Sequence, residues 1–317
     1  EDSDLVAVEN AYVAMENDLQ GKIDKVESNH PGYDEYKYEL DSIGHNPHEL
    51  ASILTAKHQS YTLSKVQADL QKIFGKQYSF TLKEEVEVRY KTEKQTDPDT
   101  GETTKEAVPY NYYILHVRLN TTPLSDIAKE ILNEEQLKMY RIYLETSGNK
   151  PLVFGGGSPD GSASEDLSGV HFVNGTRPGN PELVNLAKKQ VGNVGGYPYW
   201  SWYGFNGRVE WCACFVSWCY HKAGKSEPSF AGCQSQGVPW FTSRGQWGAR
   251  GYKNIAPGDA IFFDWDGDGG ADHVGIVIGT DGSRVYTVEG NSGDACKIKS
   301  YDLNSGYIKG YGLMNWD

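Results

Sequence analysis

Through roughly the first 30 residues, apolar side chains return at helical spacing: Leu5, Val8, Tyr12, Met15, Leu19, Ile23 and Val26. The pattern predicts one long amphipathic helix, stopped near His30-Pro31-Gly32. It reads equally as a stalk or oligomerisation seam and as a helix packed on its own domain. From 33 to 147 the pattern suits a compact α+β module. Asn46-Pro47-His48-Glu49 places proline at a first helical position. Ser64 stands as a cap for a run to Phe74 that Gly75 ends. Alternation over 78–90 and again over 110–119 predicts a long β-hairpin, with the charged, Thr-rich stretch 91–107 as its solvated tip. Thr122-Pro123 and Asn133-Glu134-Glu135 open two further helices, ending near Ser147-Gly148.

Residues 148–179, rich in Gly, Ser, Pro and Asp, read as a flexible linker. Helix signals resume at Asn180-Pro181-Glu182, with Leu183, Leu186, Ala187 and Val191 on one face and Gly192 as the stop. An aromatic loop over 197–205 leads into 210–220, an apolar stretch long enough for about three helical turns. Two alternating strands, 272–278 and 284–289, are joined as a hairpin. The chain therefore divides into an amphipathic helix (1–32), an α+β module (33–147), a linker (148–179) and a second domain (180–317).

With 317 residues, 38% hydrophobic and 12% aromatic, the chain has material for two buried cores. A formal net charge of −13 speaks against nucleic acid as a partner and against a polybasic membrane clamp. No apolar run approaches the ~20 residues that span a bilayer. The chain opens at Glu1 without a Met or a signal-like segment, as a mature ectodomain or a trimmed form would.

The five cysteines, Cys212, Cys214, Cys219, Cys233 and Cys296, all fall in the second half, and an odd number leaves at least one thiol unpaired. Their spacing gives no zinc ligand set. A Cys233–Cys296 disulfide is one possibility, small buried thiols the plainer one. His45, His48 and Glu49 cluster in sequence but at no metal-ligand spacing, and read as ordinary loop and helix residues.

A helix beginning at Cys212 would set that thiol at the positive end of the helix dipole, where thiolate is favoured. Cys214 would then point about 200° away, and Cys219, two turns on, would lie deeper on the Cys212 face. His273 falls in an alternating strand. A hairpin turning near Asp281-Gly282 puts it roughly opposite position 289 or 290, bringing Glu289 or Asn291 beside the imidazole.

Trp211-Cys212-Ala213-Cys214-Phe215-Val216-Ser217-Trp218 resembles the Trp-Cys-Ala-x-Phe-Val-Ser nucleophile segment of the CHAP family (cysteine, histidine-dependent amidohydrolase/peptidase). Pro257-Gly258-Asp259-Ala260-Ile261-Phe262-Phe263 is similar to the lead-in to that family's central strand. Asp272-His273-Val274-Gly275-Ile276-Val277 is similar to its histidine strand, and Val288-Glu289-Gly290-Asn291 to its Glu-Gly-Asn segment. The four occur in family order across 180–317. Cys214 departs from the pattern where many members carry Asp or Ala. The resemblance implies an α+β, papain-like domain in which a nucleophile helix packs on an antiparallel sheet, preceded by the separate small α+β domain and N-terminal helix. It implies Cys212 as nucleophile, His273 as base, and Glu289 and Asn291 as the residues that orient the base.

Tyr199, Trp200, Trp202 and Trp211, with Trp240 and Trp247 further on, offer flat stacking surface for a glycan or stem peptide, with plain packing as the alternative. Asp264, Asp266, Asp268 and Asp272 alternate as a calcium loop would, but the twelfth position is Gly275 rather than Glu, and a tight Asp-Gly turn explains the same residues. Some members of the family bind calcium; no other cofactor is expected.

The resemblance thus implies a peptidoglycan hydrolase, either an amidase at the sugar–peptide junction or an endopeptidase, at the surface of a Gram-positive bacterium and anchored or secreted there. The order of helix, α+β module, linker and CHAP domain resembles wall hydrolases of Gram-positive conjugative mobile elements, with 1–147 meeting other parts of the transfer apparatus. A cysteine amidase or protease on a non-wall substrate, and a catalytically silent wall-binding module, are the alternatives.

Overall fold

A computed structural model describes residues 2–147, 162–163 and 166–317. They form two compact units, one built from Ser3–Leu50 and Tyr61–Ile131, the other from Ala51–Ser60 and Leu132–Asp317. The part of the expected linker over 148–161 and 164–165 lies outside the described residues.

In the first unit the N-terminal helix is interrupted: α1 (Asp2–Asp24) stops at Lys25 and a short α2 (Val26–Asn29) follows. Next come β1 (Glu35–Leu40), α3 (Pro47–His58) with Pro47 at its start and only Pro47–Leu50 in this unit, and α4 (Leu63–Gln77). The cap position of α4 is Thr62 rather than Ser64, and the helix continues through Gly75 straight into β2 (Tyr78–Thr96). Strand β3 (Thr103–Thr121) pairs with β2 along its whole length, so the hairpin tip shrinks to 97–102. The expected long loop is strand because its Thr-rich arms suit a pleated surface and face each other in pairs such as Thr96 and Thr103. The sheet order is β1-β3-β2, with β1 parallel to β3. α5 (Leu124–Ile131) closes the unit. Leu19 and Ile23 of α1 pack on Tyr78 and Leu119, and Val26 on Leu115 and Val117. His45 proves to be a buried tie, its Nδ1 2.8 Å from Glu16 and its Nε2 2.9 Å from Glu9, both on α1. Among the described residues no helix is long and apolar enough to cross a membrane.

The second unit takes the part of α3 from Ala51 onward, which the sequence pattern places in the first module, and resumes with α6 (Glu134–Glu145), whose Asn133 and Gln136 form a reciprocal capping box. The sequence pattern places this helix with the first module, but its bonds run the other way. Tyr143 donates to the Arg208 carbonyl, and Glu145 accepts from the Ser235 amide and, at 2.7 Å, from its hydroxyl. α7 (Pro181–Lys188) is capped by Asn180. The aromatic loop is itself a short helix, α8 (Tyr197–Tyr203), entered and left through glycines in the left-handed region. α9 (Cys212–Lys222) follows, then a π-helical turn (Cys233–Gly237) running into α10 (Val238–Thr242).

Among the described residues seven strands form the second sheet: β4 (Ser162–Ala163), β5 (Trp247–Ala249), β6 (Ala260–Phe263), β7 (His273–Thr280), β8 (Arg284–Ser292), β9 (Ala295–Asp302) and β10 (Ile308–Gly312). Their order is β4-β9-β8-β7-β6-β10-β5 and every pair is antiparallel. α7 and α9 lie against β7 and β8. Ile261, Phe263, Val277, Val285, Tyr301 and Tyr311 form an apolar core on the sheet. β6 and β7 are buried at almost every position, as strands covered on both faces must be. The packed part of this unit also reaches back into 172–179, where composition alone indicates linker. Phe172 meets Tyr286 edge-on, Val173 donates to the Thr280 carbonyl, and Arg177 forks onto Asp259 at 2.6 and 2.9 Å. A few anchoring side chains hold a stretch whose average hydrophobicity is low.

Candidate active site

Cys212 is the first residue of α9, and the first bond of the helix runs from the Phe215 amide to the Trp211 carbonyl at 2.9 Å. The amides ahead of it have no acceptor within the helix and direct their partial positive charge toward the thiol. The helix start is fixed by packing. Trp211 is fully buried, stacks on Tyr199 and donates its indole N–H to Asp294 at 3.1 Å. Phe215 rests on β8 where residue 290 is glycine; a Cβ there would come within 2.6 Å of the Phe215 Cβ.

His273 opens β7, opposite Phe263 of β6. A bulge between Val277 and Gly279 alters the β7–β8 register, which pairs Ile276 with Val288. The simple hairpin had set His273 roughly opposite 289 or 290; the observed register instead brings Glu289 over Gly275, where a Cβ would sit 2.7 Å from the Glu289 Cγ. The missing side chain at 275 gives the glutamate a diagonal path, and its Oε1 lies 2.8 Å from the His273 Nε2. The other carboxylate oxygen accepts from the Tyr301 hydroxyl at 2.7 Å and from Thr287. Burial opposes the charge of Glu289, but these three donors hold its carboxyl below the ordinary value.

With Nε2 committed to Glu289, Nδ1 is the ring nitrogen left for the thiol. It is buried and has no partner in good hydrogen-bond alignment. Cys212 is nonetheless near enough that the two groups stabilise each other's charge. The Cys212 thiol is lowered, first by a hydrogen bond from Cys233 and then by His273, against the cost of burial. His273 is raised: burial works against its charge, and Cys212 and Glu289 more than offset that. The two side chains are enclosed, at 0% and 1% exposure.

Cys233 is the neighbour that sequence reasoning missed. Its sulfur lies 3.7 Å from that of Cys212, and all five cysteines are free and buried, the plainer of the two readings, with no bond from Cys233 to Cys296. Nothing in the spacing of Cys212 and Cys233 signals the contact, because it depends on the path of the loop between α9 and α10. Asn291, the other expected orienter, has a left-handed φ of 58° and directs its amide to Glu210, while its carbonyl accepts from Arg208 at 3.3 Å. Arg208 also holds Asp294 at 2.7 Å. Glu210 and Arg208 thus join the site through Asn291, while Glu289 is the carboxylate on the imidazole.

The aromatic candidates divide. Tyr199 and Trp211 are fully buried, with the Tyr199 hydroxyl bound to Gln190 and Asn193, so neither presents a face to a ligand. Trp200 donates to the Gly195 carbonyl, and Trp247 is half-buried against Phe262. Trp202 is exposed, beside His221, and Trp240 is half-buried under Arg244. Of the acidic loop, Asp264, Asp266 and Asp268 bring carboxylate oxygens within 4.8 Å of one another. Asp272 turns inward to accept from the Trp265 amide at 2.6 Å. The three clustered carboxylates suit a hard cation. They also accept amides of their own loop, as a tight turn would have them do: Asp264 from Gly267 and Gly269, Asp268 from Gly270.

A thiol at a helix N-terminus, an imidazole and a carboxylate holding that imidazole make a site of the cysteine-hydrolase class. The family model of the CHAP domain matches residues 202–291, and this part of the chain is a CHAP domain, a cysteine- and histidine-dependent hydrolase of the amidase and peptidase kind. No curated protein and no solved structure gives a significant match.

Proposed function

We propose that the second unit hydrolyses amide bonds in the peptide part of bacterial peptidoglycan, with Cys212 as nucleophile, His273 as acid and base, and Glu289 orienting the imidazole. The observation that carries this reading is the line from Glu289 through His273 to Cys212, within a domain whose family commonly acts on peptidoglycan. In it, the Cys212 thiolate attacks the amide carbonyl, and the first-turn amides of α9 stabilise the oxyanion. Imidazolium His273 passes its proton to the leaving amine, releasing it from the acyl-enzyme. The neutral ring then takes a proton from water, which frees the acyl group and restores the thiolate. Because the thiol and imidazole are enclosed, substrate entry requires displacement of a wall of the site.

The wall lies outside the cytoplasmic membrane, so this reading places the protein at the cell surface. Its architecture supports a finer proposal: a hydrolase that opens the wall for conjugative transfer, with the first unit docking on the transfer apparatus. Digestion of purified peptidoglycan by the wild type and by Cys212→Ala, with mass spectrometry of the fragments, tests the assignment. Fragments released by the wild type alone support it, and their new ends separate amidase from endopeptidase. No release by either protein, across several wall types and with or without calcium, would sink it.

A further inference from the structure

The Cys212 sulfur has a second thiol in contact with it that the hydrolytic steps never use. Cys233 stands 3.7 Å away, and both sulfurs are shielded from bulk solvent. The loop that carries Cys233 is fixed on both sides. The Ser217 hydroxyl on α9 donates to the Phe230 carbonyl and accepts from its amide, at 2.8 and 2.9 Å. Gln236 accepts from the Ala231 and Gly232 amides, and Glu145 holds the Ser235 amide and hydroxyl. On the far side, Gln234 accepts from the Ala271 amide at 2.8 Å, two residues ahead of His273. The contact between the sulfurs is therefore built into the framework of the site.

We infer that Cys233 is a resolving thiol, which closes a reversible disulfide with Cys212 under oxidation and so switches the hydrolase off until a thiol reductant reopens it. This rests on Cys212 being the nucleophile. The chemistry is balanced with a hydroperoxide as oxidant. The Cys212 thiolate attacks the terminal peroxide oxygen; the O–O bond breaks, leaving Cys212 sulfenic acid and an alkoxide that takes a proton. The Cys233 sulfur then attacks the Cys212 sulfur, the S–O bond breaks, and hydroxide leaves with the Cys233 proton as water. The two sulfurs together lose two electrons, which the peroxide oxygens gain.

The surroundings divide the roles between the thiols. Burial, and then the hydrogen bond and charge of Cys212, hold Cys233 protonated, while Cys212 is lowered and meets the oxidant first. Once Cys212 is a neutral sulfenic acid, its share of the restraint on Cys233 is gone. A disulfide needs its sulfurs about 2.05 Å apart. The approach falls to the π-helical turn Cys233–Gly237, preceded by Gly232 and followed by α10. Cys214 is buried with its thiol held high and has no comparable contact with Cys212.

The test is to treat the full chain with a hydroperoxide, digest it with trypsin without reduction, and map the cysteines by fragmentation mass spectrometry. Cleavage after Arg208, Lys222, Lys225 and Arg244 puts Cys212 and Cys233 on separate peptides. The expected result is a 212–233 cross-link two hydrogens lighter than the free pair, with fragment ions between positions 212 and 214 assigning the bond. Dithiothreitol should remove the link and restore at least about tenfold more thiol-probe labelling at Cys212 than in treated Cys233→Ser. In Cys233→Ser, Cys212 should run on to the sulfinic acid, which dithiothreitol leaves untouched. Sulfinic acid at Cys212 in the wild type, with no linked peptide and no better recovery than Cys233→Ser, would overturn the inference. Cross-linking is read on the protein itself, so its failure is distinct from failure to digest peptidoglycan.

Discussion

Glu289 occupies the space that a side chain at Gly275 would fill: a Cβ built there lies 2.7 Å from its Cγ and 3.3 Å from the Val288 carbonyl. The glycine in the histidine strand is thus a condition for the carboxylate to reach Nε2 of His273. Gly275→Ala should push Glu289 off the imidazole while leaving the rest of the sheet paired. The expected effect is a loss of about a hundredfold or more in kcat, comparable to Glu289→Gln, since a mis-set base forfeits most general acid–base catalysis. Kinetics on a defined muropeptide, with circular dichroism to confirm folding, would check it. Wild-type activity in Gly275→Ala would mean that Glu289 does not orient the ring.

The pH profile follows from the two opposed shifts. Cys212 is lowered from the usual thiol value, so its thiolate forms at a pH where a free cysteine is still protonated. His273 is raised above the usual imidazole value, so its imidazolium persists where a free histidine is neutral. The reactive pair exists between these limits. kcat/KM should rise with pH through the Cys212 limit, stay level across neutrality and fall through the His273 limit. Glu289→Gln removes a charge that raises His273 and should draw the alkaline limb toward neutral pH. Glu210 pushes Cys212 upward, so Glu210→Gln should move the acid limb lower. A single limb centred near an ordinary thiol value would contradict the ion pair.

Much of the second unit was readable because its signals are local. Asn180-Pro181 capped a helix, Cys212 began one, and alternation marked β7 and β8. What stayed hidden depends on relationships across the fold. The turn closes over Gly282-Ser283 with Thr280 opposite Val285, later than Asp281-Gly282 would centre it, and that carries 289 and 290 past His273; the bulge near Ile278 takes back only part of the offset. Trp211 and Tyr199 resembled ligand-stacking aromatics, yet they hold the nucleophile helix in place, and composition does not separate those two uses. Cys233 reaches Cys212 through a loop whose path is set by Ser217, Gln236 and Glu145. In the first unit, the tip of the hairpin was overestimated because charge and threonine suggest loop even where cross-strand pairing prevails.

Arg177 offers a test of the lower edge of the second unit. It donates to both oxygens of Asp259, which is fully buried and also accepts from the Ala256 and Met314 amides at 2.7 and 2.9 Å. Arg177→Ala leaves that carboxylate in the interior without its cation, at a cost of about 3–5 kcal/mol. Arg177→Lys keeps the charge but loses the two-pronged geometry and should fall between. Thermal unfolding followed by circular dichroism is the measurement, with a drop on the order of 10 °C expected for alanine. A shift of only a degree or so would show that 172–179 contributes little to the unit.

His45 makes the stability of the first unit depend on pH in a predictable direction. Burial disfavours its charge, but Glu16 and Glu9 on either side raise it from 6.5 to about 9. Its side chain is only 2% exposed, so solvent screens the pair weakly. A folded value above the unfolded one means the stabilisation is complete below 6.5 and is lost as pH rises through about 9. The change should be on the order of 3 kcal/mol, one pKa unit being worth about 1.4 kcal/mol. Amide exchange of α1 and of residues 43–46, compared at about pH 6 and about pH 10 after correction for the intrinsic rate, reads this locally. Protection should fall at the higher pH in the wild type, whereas His45→Gln should be less protected at the lower pH and show little further change. Equal pH dependence in the two proteins would assign the effect to some other group.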